Sequence, residues 1–237
     1  MLALVALTVV CSLTYTFEIV FGLAGTVIML TVLTLLFDAK TLVIYSVLPQ
    51  ILVAAIGLVR SPRTVRLEVL AGMLGFAVLG GAAGLYFFYR IPLHVFKLLL
   101  AGTISLSGLF LVMAPTGMRL APSVARMLDT LAGASQALFG ISGPIAMTRL
   151  MATFRDKTTI RNYALAFFLV MNMFRAGGYV VNGTFTPDIF HMMLVSGPVL
   201  AVALWFSNHL HFRVNDALFR RVVAWVILFG GVSLFFR

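Results

Sequence analysis

Long apolar runs recur from one end of this chain to the other, over approximately residues 1 to 37, 42 to 59, 67 to 89, 95 to 114, 123 to 154, 160 to 181, 189 to 209 and 218 to 236. Short stretches between them hold most of the lysines and arginines. An apolar helix of about 20 residues crosses the roughly 30 Å hydrocarbon core of a bilayer, the length that most of these runs provide. The first and fifth are too long for one crossing, and each is interrupted by a glycine-rich break, Phe21-Gly22-Leu23-Ala24-Gly25-Thr26 and Phe139-Gly140-Ile141-Ser142-Gly143-Pro144. The pattern predicts an all-α polytopic membrane protein of about eight membrane segments.

The two breaks align at a spacing of 139 − 21 = 118, and the same spacing pairs Glu18 with Gln136, Asp38 with Asp156, Thr41 with Thr159 and Tyr45 with Tyr163. Beyond the loop from Asn182 to Asp188, Arg90, Phe96, Lys97 and Gly108 pair with Arg213, Phe219, Arg220 and Gly231 at 213 − 90 = 123. Two homologous halves follow, residues 1–118 and 119–237. Each consists of a glycine-interrupted helix, broken or re-entrant, plus three transmembrane helices, and together they form one integrated transmembrane domain.

Composition bears this out: 62% of residues are hydrophobic and 10% charged, against roughly 25% charged in a soluble domain. Mean hydropathy is +1.09. The net charge of +10 is therefore topology information rather than a sign of nucleic-acid binding. If all eight segments cross, the loop lysines and arginines divide ten against six. If segments one and five are re-entrant, twelve lie on one side and only Lys40, Arg90, Lys97 and Arg237 on the other, which fits the positive-inside rule better. Each half then makes three full crossings, so the halves insert in opposite orientations as inverted repeats. Either version puts both termini outside the cytoplasm, and the expected location is a bacterial inner membrane. The N-terminal MLALVALTVV lacks the positive flank of a secretory signal and is taken as the start of the first segment.

A glycine-rich break at membrane depth exposes backbone N–H and C=O groups that hydrocarbon cannot satisfy, so it must face protein or a wet cavity. A half-helix begins after each break, near Thr26 and near Pro144, and proline suits a first helical turn. Two such N-termini meeting near the midplane would present orphan N–H donors and positive dipole ends to an anion. Gly22, Gly25, Thr26, Gly140, Ser142, Gly143 and Pro144 are therefore candidate substrate-binding residues. The plainer alternative is that the glycines only let helices pack closely.

Arg175 lies well inside the sixth segment, where an unpaired charge costs about 2.5 kcal/mol or more, so it needs a partner. With Asn172, one turn earlier on the same face, it could hold a bound oxyanion; alternatively it pairs with Glu18. Glu18 and Gln136 place one polar side chain before each break, and Glu18 is a candidate carrier of a coupling proton. Ser46, Gln50 and Tyr163 are further candidates for polar lining, and Asp129 is expected to face headgroups or Arg126. Cys11 is the only cysteine, set in an apolar run, and His94, His191, His209 and His211 lie near segment ends, so no metal site or cofactor is expected. No Gly-Lys-Ser/Thr phosphate loop or catalytic cluster occurs, which favours gradient-driven transport over nucleotide hydrolysis or an enzyme.

The second break, FGISGPIAM from Phe139 to Met147, and the run LVMNMFRAGGY from Leu169 to Tyr179 resemble the sulfite exporter TauE/SafE family of membrane permeases. The first copy, GLAGTVIML, carries Ala24 and Thr26 where glycines are common in that family. The resemblance implies a secondary transporter, commonly an exporter, of sulfite, sulfonates or related small anions. Its partners would be the anion, a coupling proton or another ion, membrane lipid and, in a homo-oligomer, further copies of the chain, with no nucleic acid. Two alternatives stay open: a carrier for another small solute, and a membrane accessory protein for assembly that moves nothing.

Overall fold

The computed structural model describes residues 2–21, 24–59, 65–113, 120–207 and 225. Over these residues the chain forms α1 (Leu2–Phe21), α2 (Gly25–Leu33), α3 (Ala39–Tyr45), α4 (Val47–Val59), α5 (Leu67–Arg90), α6 (Leu93–Met113), α7 (Pro122–Phe139), α8 (Gly143–Thr153), α9 (Lys157–Val181) and α10 (Pro187–Ser207). Among the described residues five spans are long and apolar enough to cross a membrane: α1, α3 with α4, α5, α9 and α10. The chain is thus a multi-pass membrane protein. The eighth expected segment and Gly22 lie outside the described residues, Trp225 excepted.

Each helix buries one stripe and turns the rest outward. In α1 the buried stripe is Leu7, Cys11, Tyr15 and Glu18, spaced by four or three residues, while Val5, Val9 and Leu13 are exposed. Exposed apolar side chains of this kind recur along α5 and α10, as expected where lipid tails replace water.

Both glycine-rich breaks make helical hairpins. The Tyr15 hydroxyl lies 3.2 Å from Thr26 Oγ1 and 3.6 Å from Met29 Sδ, and the Thr26 amide donates to Glu18 Oε2 at 3.1 Å. In a continuous helix, residues 15 and 29 would stand about 21 Å apart. Their contact means that α2 folds back along α1. The second hairpin repeats this: Ser142 Oγ donates to Gln136 Oε1 at 2.7 Å, and Arg149 Nε lies 3.5 Å from Asp129 Oδ2, so α8 returns along α7. Asp129 thereby finds its partner across the hairpin in Arg149, rather than in headgroups or Arg126. The reason is the fold-back itself, which brings the two buried ends of the hairpin together.

After each hairpin comes an aspartate cap at a repeat-related position. Asp38 Oδ2 accepts from the amides of Lys40 and Thr41 at 3.0 and 3.2 Å, and Asp156 Oδ2 from the Thr159 amide and hydroxyl at 2.7 and 2.8 Å. The order of hairpin, capped helix and long helix then occurs twice, the capped helix of the first half being broken at Ser46 into α3 and α4.

α5 packs on α7 and α10 on α1, while α4 and α9 face each other. The α5–α7 seam is made by small residues: a Cβ on Gly80 would stand 1.9 Å from the Thr130 carbonyl oxygen, and one on Gly133 1.9 Å from that of Ala77. Lys40, which sequence places in a loop, reaches the end of α5 and donates to the Phe88 and Ile91 carbonyls at 3.0 and 2.7 Å.

Candidate functional site

The two hairpin tips meet around a small, partly open cavity of about 20 Å³. The first hairpin contributes Glu18, Ala24, Thr26 and Val27, and the second Gln136, Gly140, Ile141, Ser142, Gly143 and Pro144. Gln50 of α4 and Phe168 of α9 complete the lining. The start of α2 and the start of α8 therefore open on one space, as the paired breaks predict. Pro144 has no N–H, so among the first three helical positions of α8 only Gly143 and Ile145 carry an amide donor.

The backbone at the tips is held in the left-handed region, with Gly140 at φ 71° and Ala24 at φ 82°. Glycine takes that conformation freely, whereas alanine is strained there. Position 24 is one where the first break departs from the glycine-rich pattern. A Cβ on Gly140 would lie 2.6 Å from Arg175 Nη1 and 2.9 Å from Ser46 Oγ, so this residue must also be glycine for steric reasons.

A network of buried amides ties the tips together. Gln50 Nε2 donates to Thr26 Oγ1 and, at 2.6 Å, to the Gly140 carbonyl, bridging the two hairpins. Gln136 Nε2 donates to Gln50 Oε1 at 2.6 Å and to Asn172 Oδ1 at 3.1 Å. Asn172 in turn donates to the Phe168 carbonyl at 2.8 Å. Ser135 Oγ donates to the Ile141 carbonyl. Each of these groups is buried, so the network meets the requirement that polar atoms out of water be paired.

A family model described as sulfite exporter TauE/SafE matches residues 7–234, nearly the whole chain. The chain belongs to the sulfite exporter TauE/SafE family. This is a family of membrane transporters, and the match includes both hairpins of the present cavity. No curated protein and no solved structure matches the chain.

In this TauE/SafE-family protein Arg175 sits just behind the cavity. It is fully buried, and donates from Nη1 to the Gln136 carbonyl at 2.9 Å and from Nη2 to the Val43 carbonyl at 3.1 Å and Ser46 Oγ at 2.7 Å. Its partners are thus the Gln136 carbonyl near the end of α7, the Val43 carbonyl of α3 and the Ser46 hydroxyl, not the Glu18 carboxylate. The Gly140 turn stands between the guanidinium and the cavity, and Arg175 holds the second tip through the Gln136 carbonyl. Glu18, Thr26, Gln50, Gln136, Gly140, Ser142, Gly143 and Pro144 are brought together. Gly25 stands behind them: a Cβ there would be 2.5 Å from Glu18 Oε2. Asn172 and Ser46 are one hydrogen bond removed, and Tyr163 lies elsewhere, its hydroxyl accepting the Arg66 amide at 2.8 Å.

Arg161 is the residue that loop-charge counting missed. It is buried, and donates from Nε and Nη2 to the Ile19 carbonyl at 3.0 and 2.7 Å. Each hairpin's first helix thus ends on an arginine from α9, Arg161 on α1 and Arg175 on α7, a cation placed at the negative end of a helix dipole. The signal was available: Arg161, Leu165, Phe168, Asn172, Arg175 and Tyr179 follow a four-three spacing and form one buried stripe of α9.

Proposed function

We propose that this protein is a secondary transporter of the bacterial inner membrane that carries sulfite or small organic sulfonates, commonly outward, by alternating access. The anion is held between the N-termini of α2 and α8. The observation that carries this reading is the shared cavity at two hairpin tips, where amide donors and dipole ends converge in a chain whose family transports sulfite-like anions. Backbone donors and neutral amides suit a small tetrahedral or pyramidal oxyanion, because they can surround several oxygens without fixing a counter-ion in place.

The hairpins are re-entrant and the halves inverted, residues 1–118 against residues 119–237. Reciprocal packing supports this: exchanging the halves converts the α5–α7 contact into α10–α1 and leaves α4 facing α9, as a two-fold axis between α4 and α9 requires. Alternating access then follows from rocking of one hairpin against the other around Gln50. Both termini lie outside the cytoplasm.

The test is flux of radiolabelled sulfite, sulfoacetate and thiosulfate in everted membrane vesicles. Wild type is expected to move at least one of them, and Gln136→Leu and Gly143→Leu to abolish the flux while still inserting in the membrane. Unchanged flux in both variants overturns the assignment of the site. For the topology, a single cysteine at Arg90 in a Cys11→Ala background should react with an impermeant reagent from the outside; reaction only from the cytoplasm overturns the inverted arrangement.

A further inference from the structure

The N-terminus of α2 is already capped by a carboxyl group of the chain itself. Glu18 is 4% exposed, lines the cavity and accepts the Thr26 amide on Oε2 at 3.1 Å. The Gly25 amide faces the same carboxyl. At the repeat-related place beside α8 stands the neutral Gln136, so the two half-sites differ by one negative charge. Among the described residues the only side-chain ion pair is Asp129 with Arg149, and Glu18 has none.

The groups around this carboxyl can be named element by element. From α1 itself come Tyr15, bonded to Thr26, and Cys11 one turn further back. α2 carries no titratable side chain, and α4 offers Gln50. α7 offers Gln136, while Asp129 and Arg149 are paired at the far end of the second hairpin. From α9, Arg161 is bound to the Ile19 carbonyl and Arg175 to the Gln136 carbonyl. α10 carries Asp188 and His191 in its first two turns. No cation among these closes on the Glu18 carboxylate.

We infer that Glu18 is a proton-binding residue, and that its ionised carboxylate and the transported anion exclude each other, so that anion and proton bind together and cross together. This rests on the reading of the cavity as the anion site. Two negative charges a few ångströms apart in a medium of low dielectric repel strongly, and a proton placed on a Glu18 oxygen from the adjoining water removes one of them. The proton also releases the α2 amides from a competing carboxylate. On the far side both ligands leave, and Glu18 takes back the Thr26 amide. A monoanion carried with one proton moves no net charge, so membrane potential does not drive the cycle, and its direction follows the sum of the anion and proton gradients.

The experiment is titration calorimetry of the purified full chain in lipid nanodiscs with methanesulfonate, whose charge does not change over the pH range used. Two buffers of different ionisation heat count protons. Wild type should take up close to one proton per sulfonate bound where Glu18 is ionised, with affinity falling up to about tenfold per pH unit there, as linkage to a single proton requires. Glu18→Gln, which keeps an oxygen for the Thr26 amide, should show no proton uptake and a flat profile. Sulfonate binding by wild type with no proton uptake and a flat profile overturns this inference alone. Absence of binding at every pH overturns the anion site as well. Should Glu18→Gln fail to fold, the wild-type proton count decides by itself.

Discussion

Substituting alanine for Gly140 places a methyl group where the second hairpin tip is held to α9 and to Ser46. Two costs combine. The residue is at φ 71°, a region that costs a non-glycine residue about 1–2 kcal/mol. The new Cβ would lie 2.6 Å from Arg175 Nη1 and 2.9 Å from Ser46 Oγ, so the guanidinium has to shift. It cannot shift freely, because the same group binds the Gln136 carbonyl, the Val43 carbonyl and Ser46 Oγ in a fully buried setting. Losing one such charge-assisted bond costs about 1.5–3 kcal/mol. The expected destabilisation is therefore about 2.5–5 kcal/mol, a large share of a typical domain's stability of roughly 5–15 kcal/mol. Reversible unfolding in mixed micelles measures it, with transport flux as a second readout. Gly177→Ala is the control: it sits on the same helix as Arg175, exposed and with nothing within 4 Å, and should gain about 0.5–1 kcal/mol from helix propensity. A Gly140→Ala protein within about 1 kcal/mol of wild type refutes the account of the tip.

At the first tip the sign reverses: Ala24→Gly relieves the left-handed strain at φ 82° and should stabilise by about 1 kcal/mol in the same unfolding assay. Gln50→Leu removes the amide that bridges Thr26 to the Gly140 carbonyl and leaves Gln136 short of an acceptor; about 2–4 kcal/mol should be lost, and flux should fall at least tenfold in vesicles. Arg161→Gln strips a charged cap from the Ile19 carbonyl and should cost about 2–3 kcal/mol, with faster amide exchange confined to the end of α1. Gly133→Leu forces α7 off α5 and should abolish the monodisperse peak of folded protein in size-exclusion chromatography, whereas Gly72→Leu, on an outward position of α5 with open space around it, should leave that peak unchanged.

Much of the architecture was legible because the bilayer enforces it. Apolar runs gave α5, α6, α9 and α10 within a few residues, and the glycine-rich interruptions gave the two helix breaks, though not whether the chain folds back at them. The repeat spacing paired Asp38 with Asp156, and both turn out to cap helices, since a carboxylate two or three residues ahead of free amides is a local signal. What escaped was side-chain direction over long separations. Arg161 looked like a loop charge because it lies close to a segment end, yet its partner at Ile19 is 142 residues away. Asp129 likewise gave no hint of Arg149 until the hairpin was closed. Arg175 was correctly singled out as needing partners, but sequence could not say that carbonyls would supply them, because every residue carries one.

That a single helix supplies both arginine clasps has a mechanical outcome. Arg161 and Arg175 grip opposite hairpins from the same rod, with Phe168 between them against the cavity. Neither hairpin can loosen the end of its first helix without a load appearing on α9, and through α9 on the other. Under the proposed alternating access, a common anchor would make the opening of one vestibule and the closing of the other a single event, where independent gates would call for two separate anchors.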